Sequence, residues 1–192
     1  MKKHKKVAVF EGIDGSGKST QARLLYFALK KRGISVDLYH FPSEGIIGKF
    51  IRDLLEKERF DSLDARSRAL LTASDFYSQY HDVNNDSDII IFDRYFYSSY
   101  ISNDALDKAW IKTIHQYAPS PDIIFFLNGD PRLIKERDGI DSGARNEERQ
   151  KIFSLRYKKI FKDIPNITIN ANKDIETTHQ EVLQNITKKL NI

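Results

Sequence analysis

Apolar residues along this chain fall into two alternating patterns. Short unbroken runs recur, as at Val7–Phe10, Ile89–Phe92 and Ile123–Leu127. Between them lie longer stretches in which apolar side chains return every three or four positions. Short runs rich in β-branched and aromatic residues predict strands buried on both faces, and their alternation with helical patterns predicts α/β with a parallel sheet. Strands are expected over Val7–Glu11, about Ser35–Phe41, Ile89–Phe92, Ile123–Leu127 and Ile167–Ile169. Helices are expected over about Lys18–Arg32, closed by Gly33, and over Gly48–Glu58, Asp64–Asn84, Asp107–Tyr117, Glu147–Phe161 and Ile175–Leu190. Pro42 breaks the second strand, and Pro131 stands at a first helical position. A polar, Gly-containing stretch, Asp138–Asn146, interrupts the pattern. No repeat or linker divides the chain, so residues 1–192 read as one domain.

Composition narrows the class. Hydrophobic residues make up 40% and charged residues 30%, which is neither disordered nor membrane-like. The start is basic, Met1-Lys2-Lys3-His4-Lys5-Lys6, but only four apolar residues follow before Glu11, too few for a secretory core segment. A cytoplasmic protein with no membrane partner is expected. Without cysteine, disulfides and thiolate metal sites are excluded. Histidines at 4, 40, 81, 115 and 179 lack close ligand spacing, so a zinc site is not expected. The net charge of +4 is mild and dispersed, and no nucleic-acid-binding signature accompanies it.

The chemistry concentrates after the first strand. Gly12-Ile13-Asp14-Gly15-Ser16-Gly17-Lys18-Ser19 matches G-x-x-x-x-G-K-[ST] in full. Glycines let several backbone N–H groups converge on one anion, and the following helix adds its positive end. Lys18 is placed to reach the β and γ phosphates of a nucleotide, and Ser19 to offer a hydroxyl to Mg2+. Asp93-Arg94 ends the buried strand Ile89–Phe92. Ligands of open α/β sheets bind beyond such strand ends, where Asp93 suits a metal and Arg94 suits phosphate oxygens. In the stretch from Arg137 to Glu148, Arg145 is a candidate to close over a transferring phosphoryl group, with Arg137 a second.

The run Phe10-Glu11-Gly12-Ile13-Asp14-Gly15-Ser16-Gly17-Lys18-Ser19-Thr20-Gln21 strongly resembles the start of thymidylate kinases. Phe41-Pro42, Gly48 with Ile51-Arg52, Asp93-Arg94-Tyr95 with Ser98 and Ser99, Pro121-Asp122 and Asp130-Pro131 follow in the family's order. The resemblance covers essentially the whole chain. It implies a P-loop, doubly wound five-stranded parallel sheet with helices on both faces, a short helical lid at about 138–148, and a homodimer. The implied reaction moves the γ-phosphoryl of ATP, with Mg2+, onto the 5′-phosphate of dTMP, a small-molecule nucleotide acceptor. ATP would be held by Gly12, Ile13, Asp14, Gly15, Ser16, Gly17, Lys18, Ser19 and Thr20, and the metal by Ser19 and Asp93. Lys18, Arg94, Asp14 and Arg145 would serve catalysis. Asp14, Phe41, Arg52, Asp75, Phe76, Arg94, Ser98 and Ser99 would surround the acceptor.

The chain departs from the family where the base and sugar are read. Ser43-Glu44 stands where many members carry an Arg after Phe-Pro, Phe76 where many carry a thymine-reading Arg, and Thr72 where many carry a stacking Phe. Ile101-Ser102-Asn103 replaces A-Y-Q. Phe76 or Tyr100 is then a candidate to stack on the base. Two other readings stay open: a deoxynucleoside kinase with Glu44 as general base, and a nucleotide-binding module without catalysis.

Overall fold

In the computed structural model, residues 5–80, 87–102, 106–138 and 147–192 are described. The apolar runs become strands β1 (Lys6–Gly12), β2 (Val36–His40), β3 (Ile89–Asp93), β4 (Ile123–Asn128) and β5 (Ile167–Asn170). They form one five-stranded sheet in the order β2-β3-β1-β4-β5, with every pairing parallel. The strand order reverses direction about β1. β3 lies on one side of it, with Phe10 opposite Asp93, and β4 on the other, with Gly12 opposite Leu127. This is the switch point where open sheets receive ligands.

Alternation along each strand sends side chains to two separate cores. Ala8, Phe10, Ile89, Ile91, Phe125 and Leu127 face α1 (Lys18–Lys31) and α8 (Ile175–Leu190), meeting Leu25, Leu29, Val182 and Ile186. Val7, Val9, Ile90, Phe92, Ile124 and Phe126 face the other way. There they meet Phe76 of α3 (Ala65–Tyr80), Ile101 of α4 (Tyr97–Ser102), and Tyr157 and Phe161 of α7 (Glu147–Phe161). Helices therefore cover both faces of a doubly wound sheet, as expected. Among the described residues the remaining helices are α2 (Ile46–Glu56), α5 (Lys108–Ile114) and α6 (Pro131–Asp138), with a 3-10 turn at Phe60–Ser62.

Element boundaries moved for local reasons. α2 starts two residues earlier than the sequence pattern, with Gly45 as its N-cap, and gives way to Glu58 at φ 54°. α5 begins after Asp107, whose carboxylate accepts from the Ala109 N–H at 2.9 Å. α4 is an addition: six residues, too short for a readable period. Among the described residues no helix is long and apolar enough to cross a membrane.

Candidate active site

Gly12 ends β1 at φ 150°, and a Cβ there would lie 2.5 Å from the Leu127 carbonyl oxygen of β4. Only glycine lets the chain turn this close to its neighbour strand. Gly17 caps α1 in the left-handed region at φ 91°, and no side chain occupies the helix N-terminus. Its amide end and dipole are thus presented to an anion. Lys18 is buried, and its ammonium donates to the Ile13 carbonyl at 2.5 Å, with Ser16 Oγ at 3.5 Å. Burial, then repulsion from Arg94, lowers its pKa to about 8 against the pull of Asp14, Asp93 and Glu11. A cavity of about 450 Å3 opens over this turn, lined by residues Asp14 through Gln21, Arg94, Ala171, Lys173, Ile175 and Thr178.

A second cavity, of about 370 Å3, lies on the aromatic side of the sheet. Phe41, Pro42, Ile51, Leu55, Phe60, Thr72, Asp75 and Phe76 line it from one direction, and Tyr95, Phe96, Ser98, Ser99, His115, Arg149, Phe153 and Tyr157 from another. Asp14 and Arg94 line both cavities.

Arg94 is held firmly between them. Its backbone is left-handed, φ 70°, while its N–H donates to the Phe10 carbonyl at 3.0 Å. The guanidinium pairs with the Asp14 carboxylate. Burial opposes its charge, but Asp14, Tyr157, Glu11 and Asp93 outweigh that and raise its pKa further. Asp14 is itself gripped from α7: its N–H donates to Gln150 Oε1, and its Oδ2 accepts from Gln150 Nε2, both at 3.3 Å.

Beneath this pair sits Glu11, fully buried in β1. It accepts from the Tyr95 N–H, Ser98 Oγ and Tyr157 OH, each at 2.9 Å. Burial raises its pKa; Arg94 and these donors work against the rise. One carboxylate thus joins β1, the turn after β3, α4 and α7. Glu11, Gln150 and Tyr157 were not sequence candidates. Glu11 looks like a strand end, and its partners are far away in the chain.

The sequence candidates divide by place. Asp14, Lys18 and Arg94 converge, with Ser19 and Thr20 in the first turn of α1. Asp93 is buried at the end of β3, and its Oδ1 has no hydrogen-bond partner among the described residues. A carboxylate oxygen without a donor is a poor structural element but a suitable ligand for a hard cation or its water. Ser98 and Ser99 line the second cavity, Ser98 bound to Glu11 and Ser99 to Thr72 Oγ1 at 3.3 Å. Phe41 and Phe76 form its aromatic wall, their centroids 5.3 Å apart. Asp75 braces that wall: the Ser43 N–H and Oγ donate to it at 2.8 and 2.5 Å. Arg52 is not among the lining residues; it donates to the Pro42 carbonyl at 2.6 Å and pairs with Glu44 at 2.9 Å. Glu44, 69% exposed, also meets His40 at 3.1 Å and does not line the cavity either. Tyr100 packs against Phe96 outside the lining. Arg145 lies outside the described residues, as does the Arg137 side chain. Arg149 is an unforeseen lining residue, paired with Asp61 at 2.6 Å.

A glycine-rich anion cradle at the switch point of a parallel sheet, with a second cavity sharing its arginine and aspartate, defines a P-loop phosphotransferase. Comparison with known proteins agrees. The thymidylate kinase family model matches residues 10–182. A probable thymidylate kinase of Methanosphaera stadtmanae is 35% identical, covering 96% of this chain and 98% of that protein. One of Thermococcus kodakarensis is also 35% identical, over 91% and 94%. A thymidylate kinase of Plasmodium falciparum is 31% identical, over 97% and 92%. The chain belongs to the thymidylate kinase family and is a nucleoside monophosphate kinase.

Proposed function

We propose that the chain transfers the γ-phosphoryl group of ATP to the 5′-phosphate of dTMP, giving dTDP. The observation that carries this reading is the position of Arg94 and Asp14 on the wall common to both cavities. A donor phosphate held over the P-loop and an acceptor phosphate held against Arg94 would meet there. Phosphoryl transfer depends mainly on positioning and charge neutralisation. Lys18 and Arg94 would bind the γ-phosphoryl oxygens, and the amide end of α1 the other donor phosphates. Gln150 fixes Asp14, and Asp14 in turn fixes the guanidinium. The acceptor phosphate is already an oxyanion at neutral pH, so no general base is required.

Mg2+ fits the site: Ser19 and Asp93 would hold it, and when bound it supplies positive charge to the phosphate oxygens. Arg145 is retained as a proposed lid contact. The second face of the reading is assembly. Ile46 and Phe50 on α2 and Leu70 on α3 are exposed apolar side chains, Ile46 89% so, and they support a homodimer. A kinase drawing on metabolic ATP belongs in the cytoplasm.

The deoxynucleoside kinase reading loses its base. Glu44 is ion-paired with Arg52 and His40 outside the acceptor cavity. ADP formation with ATP, Mg2+ and a panel of dTMP, dUMP, UMP, dCMP, CMP, dAMP, dGMP and thymidine is the test. Fast turnover of dTMP is expected. Turnover of thymidine but of no monophosphate overturns the reading.

A further inference from the structure

The charged groups of the acceptor cavity have partners or a task, but one polar group on its wall has neither. His115 follows the last turn of α5 and lines the cavity, only 4% exposed. Its ring stacks on Phe96 at 5.1 Å and meets the edge of Phe76 at 6.2 Å. Nδ1 and Nε2 both lack a hydrogen-bond partner among the described residues. Burial lowers its pKa to about 4, so the ring is neutral at physiological pH, with one N–H donor and one lone-pair acceptor.

Packing does not explain such a residue. Buried polar groups are nearly always paired, and an unpaired one costs free energy. Phenylalanine would stack on Phe96 without that cost. The two nitrogens are useful only to a group that enters the cavity.

We propose that His115 is a specificity-determining residue that hydrogen-bonds the edge of the acceptor's base remote from the sugar. The assignment rests on the nucleoside monophosphate reading above. The choice of the base follows from the cavity's chemistry. Of its charged groups, Asp14 and Arg94 lie on the wall shared with the P-loop and suit a phosphate, whereas Asp75 is engaged by Ser43 and Arg149 by Asp61. His115 sits instead among aromatic faces, which suit a planar ring. A neutral imidazole also holds a phosphate less well than a guanidinium does. In a pyrimidine nucleotide the 4-position lies at the end opposite the phosphate. Its 4-oxygen would accept from the His115 N–H.

The test is steady-state kinetics of the full chain with dTMP and with the deoxynucleotide of 2-pyrimidinone, which carries hydrogen at the 4-position. The wild type should prefer dTMP by about 10-fold or more in kcat/KM, because a site built around a hydrogen bond rejects a ligand lacking it. In His115→Phe the KM for dTMP should rise about 10-fold, kcat should change far less, and the preference should shrink to about twofold. The KM for ATP should not move. The variant should melt at or above the wild-type temperature, which a merely structural histidine would not allow. His115→Asn, which keeps a donor and an acceptor, should retain the preference, and it gives a reading even if His115→Phe misfolds. A wild type that turns over both acceptors equally, or a folded His115→Phe with unchanged KM and preference, overturns the inference and leaves the kinase reading intact. A wild type that phosphorylates no monophosphate overturns both.

Discussion

The two cavities recognise their ligands by different means. The P-loop cavity is built from backbone and charge: a glycine-rich turn, a helix end and Lys18. Its phosphate cradle is fixed within one short segment after β1, and Arg94 and the stretch from Ala171 to Thr178 complete the walls. The acceptor cavity is built from side chains on α2, α3, α4 and α7, whose positions depend on one another. Phosphate is the same in every nucleotide, so a backbone device suffices. Bases differ at a few atoms, so their reading falls to single side chains, which can be exchanged one at a time. Of the positions where the chain departs from its family, Thr72, Phe76, Ile101 and Ser102 line the second cavity, while Ser43 and Glu44 lie beside it.

The largest effect should come from the P-loop. Lys18→Ala should lower kcat by about 10²–10³-fold or more, with circular dichroism unchanged. A folded variant that keeps turnover would sink the mechanism. Arg94→Lys tests the shared wall. It keeps the charge but loses the planar fork, and kcat should fall about 100-fold with both substrates present. If only the acceptor KM changed, Arg94 would belong to one cavity alone. Asp75→Ala should separate the cavities. Leaving the Ser43 N–H unpaired costs about 1–3 kcal/mol, and thermal unfolding should register a loss of a few degrees. The acceptor KM should rise about 10-fold while ATP binding, followed by calorimetry, stays constant.

The smallest effect is a pH dependence. With its folded pKa lowered to about 8, Lys18 is protonated below that value and loses its proton above it. ATP favours the charged ammonium, so affinity is full below the folded pKa and is lost as pH rises through it. Between pH 7.5 and 8.5 ATP should bind about threefold more weakly, with proton uptake visible as a buffer-dependent enthalpy. The acceptor's affinity serves as the control.

What could be read in the sequence follows the same division. β1, the P-loop and α1 are contiguous, and their apolar run, glycines and Lys18 announced them. Ile89–Phe92 and Ile123–Leu127 were legible because central parallel strands are apolar on both faces. Asp75 was singled out as an acceptor contact. The structure shows it binding Ser43 from 32 positions away, a pairing no local pattern reveals. Glu11 read as the polar end of an apolar run, with Tyr157 146 positions away. A lone histidine at a helix end, such as His115, gives no signal until the rings around it are known. Arg52 carried the right charge and motif position, but the sequence could not show that Glu44 and the Pro42 carbonyl engage it.

The strand order has a consequence for synthesis. Of the five strands of the sheet β1 leaves the ribosome first, yet it lies at the centre between β3 and β4. Its first neighbour cannot join it until Asp93 has emerged, nor its second until Asn128 has. At usual elongation rates that wait is on the order of ten seconds. Throughout it, the most apolar segment near the N-terminus has no sheet to enter, and the P-loop has no floor. The interval is one in which a chaperone that shields short apolar segments would raise the yield of folded protein.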